Sequence, residues 1–258
     1  MTLKLHDIHV TVADGVATLT IDRPKANAID AATSFAMGEA FVGFEADPTV
    51  RAVIVTGAGE RFFSAGWDLG ADEEFDSDYG AGGFGGFVDL PNRTTPVIAA
   101  VNGMAVGGGF EIAMAADLIV AAEHAQFFLP EAGLGILPDA GSVRLPRLLP
   151  AHLAREVLYA GRRLSAADAE RFGIVNRVVP ATELLAAATE LAQRIVANAP
   201  LSVAAIMDIE RQTARLDPIE AMGFIKTLPS YRAAIDSDDA AEGTASFNEK
   251  RPPVWRGR

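Results

Sequence analysis

Between Val97 and Asp117 the chain reads VIAAVNGMAVGGGFEIAMAAD, and few arrangements accommodate such a stretch. An apolar run, Val97–Val101, meets a turn at Asn102-Gly103, and three consecutive glycines follow at 107–109. Glu111 then stands alone in a run that is otherwise apolar from Phe110 to Ala116. A segment hydrophobic on all sides reads as a helix buried in a core. Glycines at its start let another backbone or a ligand come close, and leave N–H groups unmasked. A buried carboxylate beside such donors is costly as architecture and useful as chemistry. Two readings stand at this point: tight packing around a satisfied glutamate, or a reactive site.

The rest of the composition narrows the choice. At 258 residues and 50% hydrophobic content, the chain can bury one sizeable core and carry a smaller helical appendage. It contains no cysteine, which excludes disulfides, thiolate metal sites and a cysteine nucleophile. Its four histidines (His6, His9, His124, His152) are scattered without metal-ligand spacing, so no metal is expected. A net charge of −12 disfavours nucleic acid or an anionic membrane as partner, and any polyanionic ligand must meet a local cluster of Lys and Arg. No run reaches membrane-spanning length and MTLKLHDIHV lacks the apolar core of a signal peptide, so a cytoplasmic protein is expected.

Along the chain, VATLTI (16–21) reads as a strand paired with residues 8–12 across an Asp14-Gly15 turn. Asp30 can cap a helix through about Ala46, with Phe35, Met37, Ala40, Phe41 and Phe44 at helical spacing. RAVIVT (51–56) is a largely apolar strand, and strand–helix–strand order implies a parallel or mixed sheet. Gly57-Ala58-Gly59 makes only a weak dinucleotide fingerprint, because Phe62 occupies the third glycine position. Acidic residues (Asp72, Glu73, Glu74, Asp76, Asp78) lead into the glycine- and aromatic-rich stretch 79–87, which is either a flap over a pocket or a surface loop. Residues 117–122 read as a buried strand, 133–139 as a punctuated loop before a helix, and 151–160 as a helix. Ser165 caps a further helix, and 174–179 is the last strand. From Thr182 the pattern is helical, with Leu184, Leu185, Ala188, Leu191, Ala192 and Ile195 on one face and breaks at Pro200, Pro218 and Pro229.

Four segments carry a resemblance: FFSAGWDL (62–69), VNGMAVGGGFEIAMAAD (101–117), PEAGLGILPDAGS (130–142) and GRRLSAADAERFGIVNRVV (161–179). Together they resemble the crotonase superfamily, the enoyl-CoA hydratase/isomerase group, over nearly the whole chain. RPKANAID (23–30), GERFFSAGWDL (59–69), YGAGGFGG (79–86) and the ending EKRPPVWRGR (249–258) resemble most closely its carnitinyl-CoA dehydratase branch. The resemblance implies an α/β fold, a ClpP-like spiral of ββα units over 1–198, followed by a C-terminal helical trimerisation region over 199–258. It also implies an acyl-CoA thioester substrate, no permanently bound cofactor, and a homotrimer or a dimer of trimers.

Residue by residue, the resemblance implies that the backbone N–H groups of Trp67 and Gly108 form an oxyanion hole for the thioester carbonyl. Glu111 and Glu131 match the paired glutamates that hold one water in family hydratases. Lys25, Ala26, Ala28 and Ala65 fall where members bind the adenosine end of CoA, and Phe247 and Lys250 match an FxxKR element that reaches it; Lys25, Lys250 and Arg251 would supply the positive charge. Gly70 departs from the pattern, since many members carry Lys there. Asp139 stands where many simple hydratases have Gly and some other members place a catalytic Asp; it is either a loop or helix-cap residue or an orienting group for a polar or cationic acyl chain. Phe84, Phe87 and Phe110, with Trp67, are candidate aromatic walls for such a group. Two carboxylates favour hydration over double-bond isomerisation, which needs one shuttling acid, and over a non-catalytic acyl-CoA-binding relative, while the charge of −12 argues against an RNA-binding one.

Overall fold

A computed structural model describes residues 2–74 and 77–258 of the chain; Asp76 of the acidic stretch lies outside the described residues. Three strands open the fold as an antiparallel meander, β1 (Thr2–Leu5), β2 (Ile8–Ala13) and β3 (Val16–Ile21). Asp14 and Gly15 both take positive φ (50° and 79°) in the two-residue turn between β2 and β3. That geometry matches the twist of a hairpin and suits Asp-Gly. A two-residue strand β4 (Ala28–Ile29) precedes helix α1 (Ala31–Ala46), capped by Asp30 accepting from the Thr33 amide at 2.8 Å. Met37, Ala40, Phe41 and Phe44 of α1 are buried, whereas Phe35 lies outside this face at 44% exposure.

The middle of the chain repeats one unit. Strand β5 (Ala52–Gly57) is followed by β6 (Phe62–Ser64) and a short β7 (Gly66–Trp67). Then β8 (Val97–Val101) leads to β9 (Met104–Val106) and helix α2 (Gly108–Ala115); β10 (Leu118–Ala122) leads to β11 (Gln126–Phe128) and helices α3 (Glu131–Leu134) and α4 (Asp139–Leu148). In each unit the first strand joins the large sheet and the next strand turns into a small one. The chain continues through α5 (Ala151–Ala160), β12 (Leu164–Ser165), α6 (Ala166–Arg171) and β13 (Arg177–Val179). The large sheet has the order β1-β2-β3-β5-β8-β10-β13 and the small one β12-β11-β9-β6. The fold is mixed α/β, as expected.

Period-two burial explains why β5, β8 and β10 read as continuous apolar runs. Val53 and Val55 face the main core, whereas Ala52 and Ile54 face helix α7 (Leu184–Val196). Both faces are covered, so alternation disappears from the sequence. On α7 the buried stripe is Leu184, Ala187, Ala188 and Ala192; Leu185 turns away and is 51% exposed. The last strand is shorter than expected, because the amides of Ile174 and Val175 donate to Ala169 O in the turn after α6. The glycine-rich stretch does not run free over the surface. Its 3₁₀ turn Phe84–Gly86 packs on α1, with the Gly85 amide donating to Ser34 Oγ at 3.1 Å. A Cβ on Gly86 would come within 2.4 Å of the Gly38 backbone, so glycine is required there.

Helices α8 (Pro200–Thr213), α9 (Pro218–Phe224), α10 (Pro229–Ile235) and α11 (Asp238–Glu249) complete the chain. The final residues fold back: buried Asp239 accepts from the Arg256 and Gly257 amides at 2.6 and 2.9 Å, and Trp255 Nε1 donates to Ala197 O at 2.7 Å. Among the described residues no helix is long and apolar enough to cross a membrane.

Candidate active site

Helix α2 starts where backbone must pass close to backbone. Gly107 precedes it with φ 55° and ψ −126°, and a Cβ there would lie 2.5 Å from Glu131 Oε1. Gly66 (φ 80°) presses its backbone on the same helix start, so a Cβ would come 2.6 Å from the Gly108 nitrogen. These approaches bring Trp67, next to Gly66, onto the cavity wall shared with Gly108. As the first helical residue, Gly108 has no intrahelical acceptor for its N–H, and the helix dipole favours negative charge in front of it.

The cavity has a volume of about 860 Å³, and both glutamates line it. Glu111 projects from the first turn of α2 and is 8% exposed; its Oε1 accepts a 2.7 Å hydrogen bond from the Gly141 amide of α4. Burial pushes its carboxyl up to about 7; the Gly141 amide opposes this, and the nearby charges of Glu131 and Asp139 add to it. Glu131 heads α3 and is 7% exposed, with its Oε2 buried and without a hydrogen-bond partner. Burial raises this carboxyl too, opposed by its own amide. A buried oxygen left unpaired costs stability, and in a cavity beside a second carboxyl it marks where a polar ligand group belongs. Among the described residues no group of His, Cys, Asp and Glu has an arrangement that could hold a metal ion.

Most other expected positions fall near this centre. Ala65, Phe84 and Asp139 line the cavity. The Ala65 amide donates to Ala26 O at 3.0 Å and Ala28 pairs with Gly66 in register, so the Lys25–Ala28 loop abuts the wall, with Lys25 exposed. Asp139 is the first residue of α4 rather than its cap, and α4 has no side-chain cap bond.

The expectation that Phe87 and Phe110 line the cavity needs correction. Phe87 is 2% exposed and stacks on Phe41 at 4.4 Å, while Phe110 is fully buried against Phe127 at 5.3 Å. Both are core residues: Phe87 follows the 3₁₀ turn and packs on α1, and Phe110 packs from α2 onto Phe127 of β11. Phe247 is 83% exposed and Lys250 is exposed at the end of α11; neither lines the cavity of its own chain. Arg251 is engaged by Glu242 and Glu249 rather than left for a phosphate.

Other contributors had no role assigned to them by the motifs in or beside which they stand. Tyr79 lines the cavity and meets Phe84 edge to face. Arg23 joins the loop to its surroundings through Asp7, Asp30 and Asp68 at 2.7–3.2 Å. Buried Asn27 donates to Ala58 O and Phe62 O, which also ties down the Gly57-Ala58-Gly59 turn. Arg144, on the cavity wall, donates to Val88 O. The RPKANAID motif marked the loop but not these side-chain partners.

Residues 11–258 match the family model described as enoyl-CoA hydratase/isomerase. The chain is 53% identical over 257 residues to a carnitinyl-CoA dehydratase of Salmonella enteritidis and 54% identical to one of Salmonella typhi, covering 97% of this chain and 98% of each relative. It superposes on the crystal structure of an enoyl-CoA hydratase from Mycobacterium tuberculosis with a TM-score of 0.91 at 36% identity, covering 98% and 99% of the two chains. With its paired buried carboxyls, glycine-built helix start and a match over nearly its whole length, the chain belongs to the enoyl-CoA hydratase/isomerase family.

Proposed function

We propose that the protein adds and removes water across the α,β double bond of an acyl-CoA thioester, acting as a hydro-lyase on carnitinyl-CoA and crotonobetainyl-CoA. The observation that carries this reading is the pair of buried carboxyls on one cavity, with Glu131 Oε2 left without a protein partner. The relatives at 53–54% identity supply the acyl group by name.

In the hydration direction, a water lies between Glu111 and Glu131. One carboxylate takes a proton from it as its oxygen bonds to Cβ. The π electrons move onto the thioester oxygen as an enolate, and the protonated partner delivers a proton to Cα as the carbonyl re-forms. The amides of Gly108 and Trp67 face the enolate oxygen; one such donor is typically worth about 2.7–4 kcal/mol. Burial keeps a proton available at Glu111 near neutral pH, because its carboxyl is pushed up to about 7. Lys25, Ala26, Ala28 and Ala65 take the adenosine end of CoA. No permanently bound cofactor enters the cycle, and a cytoplasmic location goes with this substrate class.

Exposed apolar side chains on the C-terminal helices, among them Ile206, Ile219, Met222 and Ile235, support a homotrimer or a dimer of trimers, in which Phe247 and Lys250 would serve a site through the assembly. The test is a turnover panel of enoyl-CoA thioesters followed by loss of absorbance of the conjugated thioester, with NMR of the products. Formation of a 3-hydroxyacyl-CoA is expected. A product with a shifted double bond would favour isomerisation, and no turnover at all would leave acyl-CoA binding as the activity.

A further inference from the structure

The cavity that holds the two glutamates is also lined by the rings of Tyr79 and Phe84 and by Asp139. Tyr79 and Phe84 meet at right angles, with centroids 5.5 Å apart and an interplanar angle of 89°. Phe84 lies directly over the helix start, since a Cβ on Gly108 would be 2.5 Å from its ring edge. Asp139, the first residue of α4, also lines the cavity, and its carboxylate is close enough to both Glu111 and Tyr79 to oppose negative charge on either. Among the described residues Asp139 has no ion pair. The cationic side chains on the same wall are directed elsewhere: Arg144 donates to Val88 O with Asp89 as its leading negative neighbour, and Arg147 donates to Val143 O.

This arrangement fits the proposed chemistry. An ammonium carried on Cγ stands one atom beyond Cβ, about 2.5 Å from it by ordinary bond lengths. It must therefore lie next to the water-holding glutamates. A fully substituted ammonium has no N–H to donate, so it is recognised by ring faces and by a carboxylate at charge distance. We propose that Asp139 and the ring pair Tyr79–Phe84 form the subsite that selects an enoyl chain bearing a quaternary ammonium on Cγ. This rests on the hydro-lyase reading above and assigns its specificity to particular residues. Asp139 supplies the opposing charge and the rings exclude water from the methyl groups.

The test compares crotonobetainyl-CoA with 5,5-dimethylhex-2-enoyl-CoA, in which carbon replaces nitrogen at unchanged shape, and with anionic glutaconyl-CoA. For the unmodified protein kcat/KM should favour the cation over its neutral isostere by about tenfold or more, as cation–π and charge contacts allow. Asp139→Asn and Tyr79→Leu should each reduce that ratio, measured for both substrates on the same variant, by about fivefold or more, and Asp139→Glu should restore part of it. Turnover of the isostere reports directly that each variant is folded. If the unmodified protein prefers the cation and both variants keep the full preference, the subsite assignment is overturned while the substrate reading stands. If the unmodified protein shows no preference, or prefers glutaconyl-CoA, the substrate reading falls and the subsite with it.

Discussion

The Gly141 amide reaches across the cavity wall to Glu111 Oε1 at 2.7 Å, so the helix start of α4 holds the carboxyl that α2 presents. Glu131 is set the other way round: it heads α3 and packs its Oε1 against Gly107, the residue before α2. Glu111 is thus held by the start of a helix other than its own, and Glu131 by its own amide and the close approach of the backbone before α2. Mutations at these helix starts should therefore affect catalysis without touching the glutamates.

Glu111→Gln and Glu131→Gln should each lower hydration by about 10²–10⁴-fold. Binding of a non-reactive acyl-CoA should persist, because neither change removes a contact to the CoA portion. Titration calorimetry alongside the absorbance assay separates the two effects. Near-normal turnover in either variant would remove the two-carboxylate mechanism.

Gly108→Ala inserts a methyl group 2.5 Å from the Phe84 ring edge and requires the ring or the helix start to move. A displaced oxyanion donor should cost about 10²–10³ in kcat. The expected signature is a drop in kcat larger than any rise in KM. A change in KM alone would point to a steric effect on the acyl chain.

Stability should depend on pH through Glu111. Its carboxyl is raised from the ordinary 4.5 to about 7, so between those values the folded chain holds more proton than the unfolded one. This contribution is fully present below about 4.5 and is lost as pH rises through about 7, an effect of up to about 3 kcal/mol. Thermal melts of Glu111→Gln, which cannot ionise, should gain on the unmodified protein at pH 8 and not at pH 4.5. Parallel curves across that range would contradict the assignment.

Arg23 should matter for the Lys25–Ala28 loop, the proposed CoA contact, although it faces three carboxylates. Replacing it by Met leaves Asp7, Asp30 and Asp68 without their shared partner and releases its bond to Ala28 O. A lower Tm and a higher KM for acyl-CoA are expected, with kcat less affected. Unchanged KM with lowered Tm would confine Arg23 to holding the fold.

The fixed C-terminal tail offers a test independent of the active site. Asp239→Ala deprives the Arg256 and Gly257 amides of a buried acceptor, a loss of about 1–3 kcal/mol. Urea denaturation should register it. An unchanged midpoint would show that the tail contributes no stability.

What the sequence determined by itself was local or short in range. Asp14-Gly15 fixes a hairpin turn, Asp30 and Ser165 cap their helices, and the apolar runs of β5, β8 and β10 announce strands buried on both faces. The glycine triplet before Glu111, read together with the other motifs, pointed to the family and to both glutamates. The direction of each aromatic was not legible, because a Phe in a glycine-rich segment packs equally well on substrate or on core. Phe84 turns to the cavity while Phe87, three residues on, turns to Phe41. The partners of Glu111 and Arg23, 30 and 45 residues away in sequence, were hidden for the same reason. Contacts between distant segments depend on how sheets and helices stack, and only the tertiary structure decided that Gly141, Tyr79 and Asp139 would surround one carboxyl pair.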